Sequence, residues 1–406
     1  MDELNKIEPP ETIPLFNILP TEPMLLMGSG PVPIPHAVAR ANGVIINHLG
    51  QTMNKVIEQL KVMARYVFQT NSDKIFGISG PSSAAMEMAV SNLLWPGKKA
   101  LVLKNGTFSG RFGEMITGIG AECTVIDPVE IRPITVEEVK KHLEKEKYDV
   151  ITMVQGETSC GIENIYLPEI VKLAKEHGAL VVVDAVCTLT ALPLLMDEWK
   201  IDVIVTGGQK GLSSIPGVSL IAFSQEAWKV IEKRPNICPH WCLDARRAQE
   251  FWEKHNYHYT APVPGVLATH EALRLICEET LEKRHLRHKI SSEALQAGIQ
   301  AMGLKLFIPK EFRLNPVIAI DVPDEVNPDI IRAYMANIFS VEIAGAFGLR
   351  IVRIGQMGEQ CRSHNLFKTL YAMGMAFKHE GYKVDISAGM AETEKNLSRD
   401  RDIFVA

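Results

Sequence analysis

The sequence lacks the features that mark several large classes of protein. Only 7 of its 406 residues are cysteine, and 43 Lys and Arg residues face 48 Asp and Glu residues, so neither sign of charge dominates. No uncharged apolar run approaches the roughly 18 residues that a membrane-spanning helix needs. These absences argue against a disulfide scaffold, a membrane protein and a nucleic-acid-binding protein. The acidic, Pro-rich start also lacks the basic end and apolar stretch of a signal peptide, so we expect a cytoplasmic protein.

The cysteines lack the spacing of a metal site. Cys238 and Cys242 flank His240, but no second pair of ligands follows at the distance that structural zinc sites use. We therefore expect reduced cysteines and no bound metal.

Short apolar runs alternate with helical patterns between about residues 75 and 225. Two predicted strands, 180–184 and 203–206, are apolar almost throughout. Strands that are buried on both faces, as in a parallel sheet covered by helices, have this composition. The pattern therefore predicts an α/β fold. The other strands predicted here are 74–78, 99–103, 122–126, 150–154 and 219–223, and the helices are 83–94, 108–119, 135–145, 167–177 and 196–199.

The last third of the chain predicts a smaller α+β unit. Residues 266–301 have one continuous helical pattern, which could connect two domains. Predicted strands follow at 304–308, 317–321 and 352–354, with helices at 328–337 and 364–379. We expect an N-terminal arm at residues 1–23 that packs on the small domain, a large cofactor-binding domain at 24–270 and a small C-terminal domain at 271–406.

Two segments are expected at the surface. Residues 225–265 are rich in Pro, His and Tyr and include Trp228, Trp241 and Trp252, a composition that suggests a surface cover or a subunit contact. His285 and His288 lie among Lys and Arg residues in the long helical pattern, and this arrangement is typical of a solvated basic face.

Three features could carry chemistry, although each has a simpler explanation when taken alone. Asp184 ends a buried strand, where open α/β sheets bind ligands, but a turn or helix cap also fits. Lys210 lies in the small-residue loop TGGQKGL, where burial would favour a nucleophilic amine, but a surface lysine also fits. Ser82 and Ser83 begin an apolar helix, which suits a phosphate or an ordinary cap.

Together, these features describe a site for pyridoxal phosphate. The serines would hold the phosphate, the acid would keep the pyridine nitrogen protonated, and the lysine would bind the cofactor covalently and move a proton. A nucleotide site fits less well, because the sequence has neither GxxxxGK[ST] nor a GxGxxG after a first strand.

The motif order resembles the class V branch of the fold-type-I pyridoxal phosphate aminotransferases, and within it the alanine–glyoxylate / serine–pyruvate group. The motifs are, in order, SGPSSAAMEMA, NGTFSGR, QGETSCG, VVVDAV, TGGQKGL, YHYT and VRIGQMG, and the resemblance covers about residues 28–383. It implies a large domain with a mostly parallel seven-stranded sheet, a small C-terminal α+β domain, and a transaminase that uses pyridoxal 5′-phosphate.

The resemblance also implies a role for individual residues. Lys210 would form the Schiff base and carry the proton, and Asp184 would pair with the pyridinium nitrogen. Phe108 would stack on the cofactor, and Thr158 would approach its ring oxygen. Arg353 would hold the α-carboxylate of the substrate in a bidentate contact, which the planar guanidinium favours.

Further contacts follow from the same resemblance. Ser82, Ser83 and Gln209 would bind the phosphate, and Tyr257 and Thr260 would reach the phosphate of a partner subunit. A homodimer with shared active sites is therefore implied. The N-terminal loop around Gly30 would line the substrate pocket.

Departures from the family pattern bear on the substrate. Phe108 stands where the family often has Trp or Tyr, and Pro81-Ser82-Ser83 stands where it often has Ser-Gly-His. Ureidoglycine–glyoxylate aminotransferases usually have Asn at the position of Tyr257, and pyridoxamine–pyruvate aminotransferases carry an extra acid where this chain has Pro81.

We expect an amino donor of the alanine or serine type and a small 2-oxo acid, glyoxylate or pyruvate, as acceptor. The ureidoglycine–glyoxylate and pyridoxamine–pyruvate reactions are the alternatives on the same scaffold. Two further hypotheses remain. One is a lyase or a cysteine desulfurase that uses Cys361, and the other is a binding protein without catalytic activity.

Overall fold

A seven-stranded sheet organises the chain between residues 75 and 223 in the computed structural model, which describes residues 9–398. The strands in chain order are β1 (Leu25–Leu26), β2 (Ile75–Ser79), β3 (Lys99–Leu103), β4 (Glu122–Ile126), β5 (Val150–Val154), β6 (Gly156–Glu157), β7 (Ile162–Glu163), β8 (Leu180–Asp184), β9 (Val203–Gly207), β10 (Val218–Phe223), β11 (Val317–Asp321), β12 (Val341–Glu342) and β13 (Ile351–Gly355).

The order of strands in the large sheet is β2-β10-β9-β8-β5-β3-β4. Strand β10 is antiparallel to both of its neighbours, and the pairs from β9 to β4 are parallel. Every residue of β5, β9 and β10 is buried, because helices cover both faces of the sheet. This architecture confirms the predicted fold-type-I α/β fold with a mostly parallel seven-stranded sheet.

Helices cover this sheet and build the C-terminal part of the chain. They are α1 (Leu15–Ile18), α2 (His36–Asn42), α3 (Gln51–Phe68), α4 (Ser82–Leu93), α5 (Thr107–Gly118), α6 (Val136–Leu143), α7 (Leu167–Glu176), α8 (Gln225–Glu232), α9 (Ala245–Trp252), α10 (Val263–Glu279), α11 (Leu281–Ala301), α12 (Pro328–Phe339), α13 (Ser363–His379) and α14 (Ile386–Leu397). No helix within residues 9–398 is long and apolar enough to cross a membrane.

The route of the chain through the sheet creates a crevice at one edge. From β3 the chain moves outward to β4, and it then returns to the other side of β3 to form β5, β8 and β9. The connections at the carboxyl ends of β3 and β5 therefore diverge. Ligands bind at such a switch point in open α/β sheets, because the divergent loops leave space between them.

Two large clusters of buried apolar side chains lie on either side of the junction between α10 and α11. The first gathers residues from Met53 to Leu281 around the seven-stranded sheet, and the second gathers Met27 and residues from Ile290 to Leu397. Strands β11 and β13 pair within the second cluster. The predicted boundary between residues 270 and 271 falls inside α10, and the limits of the domains and the packing of the arm stay predictions.

Three predicted elements differ from the structure. Residues 304–308 form no strand, since Leu306 makes only an isolated bridge to Ile320. Residues 196–199 form a turn instead of a helix, because the carboxylate of Asp197 accepts a hydrogen bond from the hydroxyl of Thr70 at 2.6 Å and holds the turn against the end of α3. The helical pattern of 266–301 is broken at Thr280, whose φ of 68° lies outside the helical region.

The prediction of a solvated basic face at the start of α11 is wrong. Arg284, Arg287 and His288 are buried, because each finds a partner inside the protein. Both guanidinium groups form ion pairs with Glu279, and the Nε2 atom of His288 accepts a hydrogen bond from the backbone N–H of Gly358 at 2.9 Å.

The expected surface segment 225–265 is also partly wrong. Trp228 and Trp252 are buried in the large cluster, where Trp228 contacts the rings of Phe76 and Phe223. Trp241 is half exposed and packs against the ring of His258. The aromatic composition of this segment therefore reflects core packing at two of three positions.

Candidate active site

One cavity opens at the crevice formed by the carboxyl ends of the parallel strands. Its volume is about 380 Å³, and loops that follow β2, β3, β5, β8 and β9 line it together with the N-terminal loop before α2. The structure brings eight of the predicted site residues to its wall: Gly30, Ser82, Ser83, Phe108, Thr158, Asp184, Gln209 and Lys210.

Lys210 reaches into the cavity from the loop after β9. Its ammonium group donates a hydrogen bond to the backbone carbonyl of Ser29. Burial lowers the pKa of Lys210, and the guanidinium of Arg353 lowers it further. A lowered pKa increases the fraction of neutral amine at neutral pH, and the neutral amine is the nucleophilic form.

Gly30 packs directly against the side chain of this lysine. A Cβ atom at Gly30 would lie 2.4 Å from the Cδ of Lys210, and the φ of Gly30 is +102°, which L-residues rarely adopt. A side chain at this position would therefore displace the lysine as well as strain the backbone.

Asp184 ends strand β8 and is buried at the wall of the cavity. Burial raises the pKa of Asp184 to about 7, and the nearby charge of Glu157 acts in the same direction. The backbone N–H of Val186 donates a hydrogen bond to the carboxyl at 2.8 Å and partly opposes the shift. A cation placed against this carboxyl would restore its negative charge, so the position suits a protonated ring nitrogen.

Another part of the cavity wall suits an anion. Ser82 and Ser83 occupy the first turn of α4, whose N–H groups have no partners within the helix. The side-chain NH₂ group of Gln209 donates to the hydroxyl of Ser82 at 3.2 Å. A Cβ atom at Gly207 would clash with that hydroxyl, so a side chain there would displace it from its hydrogen bond with Gln209.

Phe108 is held in the cavity by a buried acid that sequence reasoning does not identify. The carboxylate of Glu157 accepts hydrogen bonds from the backbone N–H groups of Phe108 at 3.3 Å and Ser109 at 2.9 Å. It also accepts from the hydroxyls of Ser109 and Ser159 at 2.9 and 2.6 Å. Glu157 therefore caps α5 and fixes the turn that carries the aromatic ring.

We predict that Glu157→Gln lowers the free energy of unfolding by about 1 to 3 kcal/mol, because the amide NH₂ would face N–H and O–H donors and leave them unsatisfied. Urea denaturation of the cofactor-free protein would measure the change. Glu114→Gln, at an exposed position in the middle of α5, is the matched control and should leave the midpoint unchanged. Equal midpoints for both variants would contradict the capping role.

Arg353 lies behind the cavity wall. It belongs to β13, is buried, and donates hydrogen bonds to the backbone carbonyls of Thr158 and Gly345. Because Thr158 lines the cavity and Arg353 does not, the structure brings this predicted carboxylate-binding residue next to the cavity without opening it to the space inside. Burial lowers the pKa of Arg353, but a guanidinium stays charged in proteins.

Tyr257 and Thr260 do not line the cavity. Both are exposed in the segment between α9 and α10, and Tyr257 is 61% exposed. Their expected contact with the phosphate of a partner subunit stays a prediction.

Among the cavity residues that the sequence-based prediction of the site does not include, Arg111 and Cys187 have ionisable side chains. Arg111 lies one helical turn after Phe108 in the string NGTFSGR, and this spacing places the two side chains on one face of α5, a signal that was available in the sequence. Cys187 offers no comparable signal, because it lies in a loop whose direction only the fold determines.

The thiol of Cys361 does not suit the chemistry of a desulfurase. It is fully buried, and burial raises its pKa to about 11. A catalytic thiol needs to be accessible and partly ionised, so this alternative finds no support in the site.

The sheet with its single antiparallel strand, together with a buried lysine and acid at the carboxyl edge, defines a transferase of fold type I. Residues 37–352 match the family model of Aminotransferase class-V. The chain therefore belongs to the class V aminotransferase family, and it is a transaminase, as the motif order predicts.

Curated relatives support this assignment over most of the chain. Alanine–glyoxylate aminotransferase of Oryctolagus cuniculus is 32% identical over 385 residues, which cover 92% of this chain and 97% of that protein. The (S)-ureidoglycine–glyoxylate transaminase of Bacillus subtilis is 30% identical over 381 residues, which cover 85% of this chain and 88% of that protein.

Solved structures agree with the sequence comparison. The ureidoglycine–glyoxylate aminotransferase of Bacillus subtilis superimposes with a TM-score of 0.91 at 28% identity, over 94% of this chain and 99% of that one. Alanine–glyoxylate aminotransferase of Nostoc sp. superimposes with a TM-score of 0.85 at 29% identity, over 90% of this chain and 100% of that one. Pyridoxamine–pyruvate aminotransferase of Mesorhizobium loti gives 0.89 at 23% identity, which is a likeness of fold.

Proposed function

We propose that the protein uses pyridoxal 5′-phosphate to transfer the amino group of a small amino acid, of the alanine or serine type, to glyoxylate or pyruvate. The observation that carries this proposal is the shared cavity of Lys210 and Asp184, in which burial lowers the pKa of the amine and raises the pKa of the acid. Perturbed groups of this kind cluster at functional sites.

The residues of the cavity fit the proposed cofactor at both ends. The hydroxyls of Ser82 and Ser83, the free N–H groups in the first turn of α4 and the side-chain NH₂ group of Gln209 lie in one part of the wall, where a phosphate would be held. Asp184 lies where a protonated ring nitrogen would restore its charge. When bound, pyridoxal phosphate supplies a ring that accepts the electrons released at the substrate Cα atom.

The residues of the chain would share the remaining work. Lys210 would take the proton from the substrate Cα atom and deliver it to another carbon atom of the bound ligand. Its lowered pKa suits it to this proton transfer. Phe108 would fix the plane of the ring by stacking, held by the cap on α5. Arg353 would turn from its backbone carbonyls to bind the α-carboxylate.

The size of the cavity supports a small substrate. Its volume of about 380 Å³ lies near the lower end of the range for ligand pockets, and the cofactor would take up a large part of it. Relatives named for alanine and glyoxylate agree with this expectation.

A second candidate is the ureidoglycine–glyoxylate reaction. It is favoured by the TM-score of 0.91 with the Bacillus subtilis enzyme of that name. The presence of Tyr257, where that group usually has Asn, speaks for the first candidate. The pyridoxamine–pyruvate reaction is less well supported, because Pro81 at the cavity wall replaces the acid expected there.

A homodimer with shared active sites belongs to the same proposal. Exposed Tyr257 packs near His48, with ring centroids 6.1 Å apart, and Ile45 and Leu49 of the neighbouring loop are also exposed. This apolar surface would be covered by a partner subunit, with Tyr257 and Thr260 reaching the partner's cavity. Sedimentation of the cofactor-loaded protein as a monomer at micromolar concentration would overturn this part.

A screen of half-reactions tests the substrate. The protein loaded with pyridoxal phosphate should show the absorbance band at about 400 nm of a lysine-bound cofactor. L-alanine or L-serine should convert this band, whereas D-alanine should not. Conversion by (S)-ureidoglycine alone would establish the second candidate, and a band that no small amino acid changes would contradict both.

We predict that Arg353→Lys raises KM for the amino donor by about 10- to 100-fold with a smaller effect on kcat, because an ammonium cannot form the bidentate contact with a carboxylate. Steady-state kinetics with the best donor of the screen would measure both constants. Arg350→Lys, a half-exposed residue just before β13, is the control. An unchanged KM in Arg353→Lys would remove this residue from the substrate site.

A further inference from the structure

Arg111 reaches the wall of the cavity from α5. Its guanidinium carbon lies 4.7 Å from the ring centroid of Phe108, and its Nη1 atom donates a hydrogen bond to the hydroxyl of Ser83 at 3.2 Å. The ring and the hydroxyl therefore hold the guanidinium at the cavity wall, beside the first turn of α4.

This guanidinium has no acidic partner. Within residues 9–398, no carboxylate oxygen lies within 4.0 Å of its nitrogen atoms. By contrast, the two buried arginines of α11, Arg284 and Arg287, both pair with Glu279. An unpaired cation beside a helix N-terminus is suited to an anion that comes from outside the chain.

The charge balance of the cavity points the same way. Among residues 9–398, Lys210 and Arg111 are the basic residues that line it, and Asp184 is the acidic one. Lys210 would be engaged in the covalent contact with the cofactor and could not also neutralise its phosphate. A phosphate monoester carries a charge of about −1.5 to −2 at neutral pH, so serine hydroxyls and N–H groups alone would leave most of it uncompensated.

We propose that Arg111 binds an anionic oxygen of the bound ligand, and we assign that oxygen to the phosphate of the cofactor. Arg111 would complete the phosphate site that Ser82, Ser83 and Gln209 begin. This inference rests on the proposed function, since it needs pyridoxal phosphate in the cavity. A side-chain carboxylate of the substrate is the other source of an anionic oxygen.

Two aldehydes separate these sources. Pyridoxal phosphate and pyridoxal, which lacks the phosphate, are titrated into the wild-type protein and into the Arg111→Gln and Arg111→Lys variants, and binding is followed by the band at about 400 nm. Arg111→Gln should weaken the binding of pyridoxal phosphate by about 10- to 100-fold, which is typical for the loss of a charge-assisted hydrogen bond. The same variant should bind pyridoxal as the wild-type protein does, and this result would also show that its fold is intact. Arg111→Lys should lie between the two, because it keeps the charge and loses the planar fork.

Three results would overturn the assignment to the phosphate. If Arg111→Gln binds pyridoxal phosphate as tightly as the wild-type protein, no phosphate contact exists. If in addition its half-reaction with aspartate or glutamate is lost while that with alanine is kept, Arg111 instead holds a substrate carboxylate. If Arg111→Gln weakens both aldehydes equally, the residue supports the site structurally and binds no anion.

A failure of the proposed function gives a different result. In that case the wild-type protein itself shows no band with either aldehyde, and the inference about Arg111 falls with the proposal. A band in the wild-type protein with unchanged affinities in the variants overturns only the inference.

Discussion

Replacing Lys210 with alanine should lower the turnover of the aminotransferase by more than about 10⁴-fold, because the change removes both the amine that binds the cofactor and the group that moves the proton. The band at about 400 nm should disappear in the same variant. Stopped-flow half-reactions with an active amino acid would measure the rate, and absorbance spectra would measure the band.

Lys172→Ala is the matched control for this experiment. Lys172 is exposed on α7, so its loss removes an ammonium group without touching the cavity. The control should keep both the band and the turnover. A Lys210→Ala protein that retains either one would refute the assignment of this lysine.

Replacing Asp184 with asparagine should lower turnover by about 10²- to 10³-fold, a size typical of removing one electrostatic contact from an active site. The amide keeps the acceptor for the N–H of Val186 but carries no negative charge against a protonated ring nitrogen. Half-reaction rates would measure the effect. Asp127→Asn, which alters an exposed ion pair with Lys104, should leave the rates unchanged.

The same substitution should stabilise the protein when no cofactor is bound. The pKa of Asp184 is raised from 3.8 in the unfolded chain to about 7 in the fold, so between these pH values the folded state keeps a proton that the unfolded state has lost. Stability of the wild-type protein therefore falls as pH rises through this window, by up to about 4 kcal/mol, and Asp184→Asn avoids the loss. Urea midpoints should favour the variant clearly at pH 8 and hardly at pH 4; a constant difference would contradict the burial argument.

The opposite signs of these two effects have one cause. Burial disfavours the charged form of the carboxyl group when no cation is near, and this destabilises the cofactor-free protein. A protonated ring bound beside the carboxylate would remove this penalty, so the free energy released would contribute to binding. Ionisation of Asp184 should thus destabilise the cofactor-free protein at the same pH values at which the Asp184 carboxylate of the loaded protein would form its ion pair with the ring nitrogen. Ligand binding would then stabilise the fold more strongly in wild type than in Asp184→Asn.

The sheet and most of its helices follow from local features of the sequence. The apolar runs of β8 and β9 and the spacing of Met53, Ile57 and Leu60 in α3 are visible without any tertiary contact. Elements that depend on distant partners could not be predicted in this way. The turn at Asp197 is held by Thr70, and the segment at Leu306 lies beside β11 without becoming a strand.

Sequence by itself determined which residues could carry the chemistry, because motif order and composition place Lys210, Asp184 and the serines of α4 at the ends of predicted strands or just after them. Only the tertiary structure decided the pKa values of these groups and the side chains that hold them in place. The sequence predicted a solvated Arg284, for example, but the fold buries this residue in an ion pair with Glu279. The cap that Glu157 forms on α5 and the unpaired cation of Arg111 beside Ser83 arise for the same reason, since both depend on side chains that meet only when the strands align.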